Sequence, residues 1–184
     1  MQSQSVYSRI KSIRESKRSP MTDSFPISAW RQTWLRIVSP LGEAWAVHPA
    51  EEGKMEGEFP YESPIHVITA WNPESTKLTC SENGDRHRRL QIQLQGLGEE
   101  IWEGTGSAID GQWAEEGFAR VGTSLESSLA IGCQWKQDSI WEWSTNGLAA
   151  IECISGVRHQ WGWVLAALPS RQPFDDLEGM IRHQ

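Results

Sequence analysis

Polar residues gather where a predicted strand ends and the next predicted helix begins. Thr69, Asn72 and Ser75 belong to the end of the strand, while Asn83 and Arg86 belong to the first turns of the helix. An arginine binds a carboxylate or phosphate through charge-assisted hydrogen bonds, and nearby amides and hydroxyls can orient that group. The free N–H groups at the start of a helix also favour an anion. We therefore predict a polar pocket for an anionic small molecule at this junction.

A structural role for the same side chains stays open. Asn72 can close the turn after the strand, and Asn83 can serve the start of the helix. Arg86 can pair with a structural carboxylate such as Glu115 or Glu116, because buried charges are normally paired. In that case the polar cluster would stabilise the fold and bind no ligand.

Local patterns predict the two elements that would position these residues. Residues 65–70 (IHVITA) are apolar and β-branched, which indicates a buried strand, and Pro73 prevents its continuation. Thr79 and Glu82 have the T-x-x-E spacing of a capping box, which predicts a helix over residues 80–96. The end of a strand and the start of the next helix often form a crevice where ligands bind.

The predicted helix has one apolar face. Leu90, Leu94 and Leu97 recur at helical spacing and are expected to face the core. Steps of three and four residues back along the same face reach Arg86 and Asn83. The helix is therefore expected to point a guanidinium and an amide inward at its first turns.

The order of the other predicted elements indicates the fold class. Gly104-Thr105-Gly106 is interpreted as a turn, and Asn146-Gly147 is typical of a β-hairpin. Thr123 opens a second T-x-x-E box, with a helix over residues 124–135. Further strands are predicted at residues 35–38, 44–47, 100–102, 117–121, 139–143, 148–154 and 161–165. The body thus follows a β-α-β-β-α-β order, which predicts a ferredoxin-like (split βαβ) α+β fold: a mostly antiparallel sheet with two helices on one face and extra strands.

Composition divides the chain of 184 residues into three parts. Residues 1–24 carry five basic and two acidic side chains and few large apolar ones, which predicts a disordered basic segment. Residues 25–168 are expected to form a single α+β domain, and residues 169–184 a loose polar tail. The formal net charge of the whole chain is −7. The remainder beyond the basic segment is therefore more acidic than the chain as a whole.

This acidic body argues against nucleic acid as a partner, because phosphates are repelled. No apolar run approaches the roughly 18–20 residues of a membrane helix, so no membrane partner is expected. The three cysteines are widely spaced and show no metal-ligand pattern. They favour a reducing cytoplasm and predict neither a metal site nor a cofactor.

The residues leave three classes of function open. The first is a pocket that binds a small molecule, with or without catalysis, since no nucleophile or cofactor motif decides whether it is an enzyme. The second is a non-catalytic protein–protein interaction module, which the eleven tryptophans would suit. The third is a single-stranded nucleic-acid binder that uses aromatic residues on a sheet face, which the net charge opposes.

A longer motif runs through the same region. Residues 69–75 read T-A-x-N-P-x-S, and residues 82–90 read E-N-x-x-R-x-x-x-L. A G-x-G at 104–106 and a Trp and a Glu at 113 and 115 follow, and the stretch closes near Gln137. Over about residues 65–143 this arrangement resembles the bacterial domain-of-unknown-function family 3293, although Lys136 and Asp138 stand where the family has Gly and Asn. The resemblance implies a shared site that also includes Glu115 and Gln137, and it implies no particular activity.

Overall fold

The computed structural model describes residues 27–108 and 113–166. The predicted disordered segment 1–24 and the predicted tail 169–184 lie outside these ranges. No helix within them combines the length and the apolar character needed to cross a membrane.

The described ranges contain nine strands and three α-helices. The strands are β1 (Thr33–Val38), β2 (Ala44–Ala50), β3 (Met55–Glu56), β4 (Ile65–Thr69), β5 (Ile101–Ala108), β6 (Ala114–Val121), β7 (Ser139–Ser144), β8 (Gly147–Glu152) and β9 (Arg158–Ala166). The helices are α1 (Ile27–Trp30), α2 (Cys80–Gly96) and α3 (Leu125–Gln134), and a 3-10 turn covers Pro73–Ser75.

Eight of the strands close into an antiparallel barrel. Their order around the ring is β2-β1-β5-β6-β4-β7-β8-β9, and β9 returns to pair with β2. In this closing pair Ala46 lies opposite Ala166, and Ala50 lies opposite Gly162. The short β3 adds parallel to β9 outside this ring.

The predicted ferredoxin-like α+β fold is therefore wrong. That prediction came from β4 to β7 and the two helices between them, and these four strands are neighbours in the order β5-β6-β4-β7. The strands treated as extra, β1, β2, β8 and β9, extend the sheet on both sides until it meets itself. Local sequence patterns indicate strands and hairpins, but they carry no signal for a pairing between strands as distant as β2 and β9.

Tryptophan side chains fill much of the barrel interior. Trp102, Trp143 and Trp163 belong to one buried cluster with aliphatic residues from the surrounding strands. Phe59 contacts Trp143 edge-on with 5.0 Å between ring centroids, and Tyr61 contacts Trp102 at 5.8 Å. An eight-stranded barrel is just wide enough for side chains to fill it, and large aromatic rings accomplish this with few residues.

Helices α2 and α3 cover part of the outer barrel face. Leu90 and Leu94 of α2 and Leu129 of α3 pack in one cluster with Ile68 and Phe118 of the strands. The leucine stripe thus lies against the sheet as predicted, except at its last member. Leu97 is 54% exposed, since it follows the last residue of α2.

The predicted capping box at the start of α2 is confirmed. The Thr79 side chain accepts a hydrogen bond from the Glu82 backbone N–H, and the Glu82 carboxylate accepts one from the Thr79 N–H. These reciprocal bonds satisfy two N–H groups that the helix itself leaves unpaired. The cap fixes where the helix begins, and so fixes the position of Asn83 beside the end of β4.

The turn predicted at Gly104-Thr105-Gly106 is wrong, because these residues lie within β5. Gly104 is opposite Ile37 on one side and Gly117 on the other. A Cβ atom on Gly104 would lie 3.0 Å from the backbone nitrogen of Ala119. The glycine allows close packing inside the barrel and does not reverse the chain.

Candidate functional site

One end of the barrel contains a cavity of about 240 Å³, the mouth cavity. Alternate residues of β1, β4, β5, β6 and β7 line it, among them Thr33, Thr69, Gly106, Glu115 and Trp141. Side chains two positions apart on a strand share a face, so these residues project into the barrel interior. The cavity is therefore an unfilled part of the barrel itself, and not a groove on its surface.

Gly106 of β5 helps to keep this end of the barrel open. Gly104 and Gly117 also line the cavity, but an added Cβ at either position would lie 3.0 Å or less from backbone atoms of a neighbouring strand. At Gly106 an added Cβ would meet only ordinary contacts, the nearest being Leu35 at 3.8 Å and Thr33 at 3.9 Å. A side chain would therefore fit at position 106, and glycine there preserves open volume.

Asn72 takes part in four hydrogen bonds beside the cavity. Its amide nitrogen donates to Glu115 Oε1 at 2.9 Å. Its amide oxygen accepts from the Leu78 backbone N–H and from Asn83 Nδ2, both at 3.0 Å. The Asn72 backbone N–H in turn donates to Asn83 Oδ1 at 3.0 Å. One side chain thus ties the end of β4 to α2 and to β6.

The chain after β4 adopts an uncommon backbone conformation. Asn72, Glu74 and Ser75 have φ values of 44°, 54° and 56°, and Lys136 nearby has 61°. Residues other than glycine rarely adopt positive φ, and clusters of them are typical of functional sites. The Glu74 backbone N–H donates to the Lys136 carbonyl at 2.8 Å, which joins the two segments.

Two carboxylates face the mouth cavity. Burial raises the pKa of Glu115, and the hydrogen bond from Asn72 opposes that rise only in part. Asp138 accepts a hydrogen bond from Ser75 Oγ at 2.8 Å. The described residues that line the cavity include no lysine, arginine or histidine. The site is therefore acidic.

Five of the seven residues predicted from sequence line the mouth cavity: Thr69, Asn72, Ser75, Glu115 and Gln137. Thr69 Oγ1 donates to the Glu116 carbonyl at 2.7 Å, and Gln137 Nε2 donates to the Trp71 carbonyl at 2.9 Å. These hydroxyl and amide groups are therefore already engaged by backbone atoms.

The other two predicted residues lie behind the cavity wall. Asn83 is buried and bonds to Asn72. The Arg86 guanidinium donates to the Ala70 and Trp135 carbonyls and lies 5.2 Å from the centroid of the Trp135 ring. Neither Glu115 nor Glu116 pairs with Arg86, so the carboxylate partners considered from sequence are replaced by backbone carbonyls.

Sequence reasoning missed several residues of the cavity wall, among them Trp30 of α1, Thr33 of β1, Ser139 of β7 and Asp138 just before that strand. Trp30 and Thr33 lie far from the polar motif in sequence and reach it through the pairing of β1 with β5. Trp141 lies in a stretch of the sequence that is rich in tryptophan. Ser139 and Trp141 are two positions apart in β7 and so share a face of the strand, which is the sequence signal that could have placed both in the wall. No local pattern marked α1 as part of the site.

A second polar cluster lies on the outer barrel face under α3. Ser128 Oγ is 3.0 Å from His66 Nδ1, and His66 Nε2 is 3.2 Å from Glu142 Oε2. Burial alone would raise the pKa of Glu142, but hydrogen bonds from His66 and Arg158 outweigh it and hold the pKa at about 2. The order serine–histidine–carboxylate is that of a hydrolase triad. Ser128 is fully buried and also accepts from Arg120 at 2.8 Å, so the cluster stabilises the fold and presents no nucleophile.

A family model described as "Protein of unknown function (DUF3293)" matches residues 68–140. This match confirms the resemblance that the sequence motif indicates. No curated protein and no solved structure gives a significant match to the chain. The matched region includes Asn72, Glu115 and Gln137, whereas Trp30 and Thr33 of the cavity wall lie outside it.

Proposed function

We propose a function from the geometry of the site, since the family model that matches residues 68–140 describes a protein of unknown function: the protein binds a small organic molecule in its mouth cavity. The observation that carries this proposal is the hollow end of a barrel whose remainder is filled by aromatic side chains. Cavities of this kind are lined mainly by apolar and aromatic groups with a few polar ones that orient the ligand.

The size of the mouth cavity limits the ligand. Its volume of about 240 Å³ lies below the range of about 300–1,000 Å³ that is typical of ligand pockets. A ligand of this size is a small metabolite and not a nucleotide chain. The formal net charge of −7 also opposes the phosphates of single-stranded nucleic acid, so the cavity and the charge together favour the first of the three functions.

The proposal is tested by filling the cavity. A Gly106→Leu variant directs an aliphatic side chain into the cavity from an inward position where an added Cβ meets only ordinary contacts. A thermal-shift screen of metabolites should identify ligands that stabilise the wild-type protein, by about 2.7 kcal/mol at 100 times Kd. Gly106→Leu should lose this stabilisation while its circular dichroism spectrum stays that of the wild type.

A matched control is Gly84→Ala in α2, where an added Cβ meets no atom within 4 Å. This variant should keep the full ligand response. If ligands stabilise Gly106→Leu as much as the wild type, they bind elsewhere and the proposal fails.

A protein–protein interaction module is the second candidate. Two large apolar side chains of the α2 region, Ile92 and Leu97, are 63% and 54% exposed, as at a surface that contacts a partner. An Ile92→Asp variant that leaves ligand binding intact but removes a co-purifying protein would favour this function.

A further inference from the structure

The polar groups around the mouth cavity differ in the hydrogen-bonding capacity that they leave available to a ligand. Several donors already have a partner: Asn72 Nδ2 donates to Glu115, Gln137 Nε2 to the Trp71 carbonyl and Thr69 Oγ1 to the Glu116 carbonyl. A carboxylate has about four acceptor sites and no donor when ionised. The capacity that the ionised Glu115 carboxylate still offers is therefore acceptor capacity, and a ligand that binds to it supplies N–H or O–H donors.

Charge favours a cation among such ligands. Glu115 lines the cavity, and the described lining residues include no lysine, arginine or histidine. The chain as a whole is acidic, with a formal net charge of −7. An ionised carboxylate held in a partly desolvated site is stabilised by an opposite charge close to it. A bound cation would relieve the cost of burying Glu115, whereas a bound anion would increase it.

Aromatic walls suit the rest of such a molecule. Trp30, Trp113 and Trp141 line the same cavity. Trp30 belongs to a buried cluster with Trp161, and Trp141 packs against this cluster. These contacts fix the positions of both rings. Tryptophan faces attract cations and pack against apolar bodies. The wall therefore complements a molecule with a charged head and a short apolar body.

Resting on the function proposed above, we propose that the ligand of the mouth cavity is a small amine bound as its ammonium cation. The ammonium donates hydrogen bonds to the Glu115 carboxylate, which Asn72 orients, and the apolar body lies against the tryptophans. The anionic ligand predicted from the sequence is the alternative. It depended on Arg86, whose described donors reach two backbone carbonyls.

Two series of probe molecules test the ligand class. Each series compares an amine, a neutral molecule and a carboxylate that share a similar apolar part. The first is tyramine, 4-ethylphenol and 4-hydroxyphenylacetate, and the second is n-butylamine, 1-butanol and butyrate. Isothermal titration should show each amine binding at least about tenfold more tightly than its neutral and anionic counterparts, the factor expected for one hydrogen bond to a charged group. Equal or tighter binding of the neutral or acidic member, or no binding by either amine, overturns the amine class.

Matched variants locate the ammonium. Glu115→Gln should weaken amine binding about tenfold or more. Glu116→Gln makes the same charge change one position along β6, where the side chain is exposed, and should leave the affinity within about twofold. An equal loss in both variants would mean that only the overall charge matters and would overturn the contact with Glu115.

Gly106→Leu separates the two proposals. If a neutral or anionic probe binds best and Gly106→Leu abolishes that binding, the mouth cavity is the site and only the amine class fails. If the amines bind Gly106→Leu as tightly as the wild type, the cavity is not their site, and the amine proposal falls together with this support for the proposed function.

Discussion

At the scale of single residues, Glu115 is subject to two opposing influences. Burial in the mouth cavity raises the pKa of its carboxyl group, while the hydrogen bond from Asn72 lowers it, and burial is the larger effect. An acid whose pKa is higher in the folded than in the unfolded protein costs stability once it ionises. The stability of the fold should therefore decrease as the pH rises from the ordinary value of 4.5 through the raised pKa.

Replacement of Glu115 by Gln should remove this cost. Glutamine keeps an oxygen that accepts from Asn72 Nδ2 and carries no charge. We expect Glu115→Gln to match the wild type below pH 4.5 and to be the more stable protein at neutral pH. Urea unfolding of both proteins across this range measures the difference. A variant that is less stable than the wild type at neutral pH would contradict a net cost of ionisation.

Asn72 combines an unusual backbone angle with four hydrogen bonds. Asn72→Gly retains the freedom to adopt a φ of 44° but loses the side-chain bonds to Glu115, Leu78 and Asn83. We expect a loss of about 1–3 kcal/mol in the free energy of unfolding. Asn72→Ala should lose about 1–2 kcal/mol more, because its Cβ disfavours the left-handed conformation. Chemical denaturation of both variants separates the two contributions, and equal stability of the Gly variant and the wild type would show that the bonds contribute little.

At the scale of elements, Arg86 connects three of them. It extends from α2 to the carbonyl of Ala70 just after β4 and to that of Trp135 just after α3. Lysine has no planar fork of donors and cannot reproduce this geometry. We expect Arg86→Lys and Arg86→Ala both to reduce the free energy of unfolding by about 1–3 kcal/mol, with ligand affinity in the mouth cavity unchanged. Loss of an anionic ligand from a variant with wild-type stability would instead support the anion site predicted from sequence.

The elements themselves could largely be predicted, because their signals are local. Three examples each depend on residues that are close together in the sequence: the Thr79 and Glu82 cap, the leucine face of α2 and the Asn146-Gly147 hairpin. The helical face also indicated that Arg86 lies on the side of the sheet, but spacing cannot say which group it meets there. The cavity wall could be predicted only where it coincided with the polar motif. Trp30 and Thr33 join it through strand pairings between β1 and β5 that no local pattern encodes.

At the scale of the whole molecule, stability depends on the seam where the barrel closes. Gly162 of β9 lies opposite Ala50 of β2, and the turn before β3 passes over it. An added Cβ at position 162 would lie 2.1 Å from the Lys54 carbonyl oxygen and 2.2 Å from that of Glu51. Trp163 also donates its backbone N–H to Lys54 at 2.8 Å, so the turn cannot move away without breaking this bond.

Gly162→Ala is therefore expected to destabilise the protein by about 1–3 kcal/mol or more, as overpacking does. Gly84→Ala makes the same chemical change within α2, where there is space, and should stabilise the protein by roughly 0.5–1 kcal/mol. Thermal unfolding followed by tryptophan fluorescence compares the two. Similar unfolding temperatures for both variants would mean that the seam adapts and does not limit stability.

Closure of the ring has a further consequence for how the protein meets other copies of itself. A sheet with free margins offers unpaired N–H and C=O groups to which a foreign strand can add, and such margins promote aggregation. Within the described residues, each of the eight barrel strands has a partner on both sides. The remaining strand, β3, has only two residues, and the ion pair between Lys54 and Glu56 at 3.2 Å lies beside it. The described fold therefore presents little template for amyloid-like growth despite its many aromatic rings.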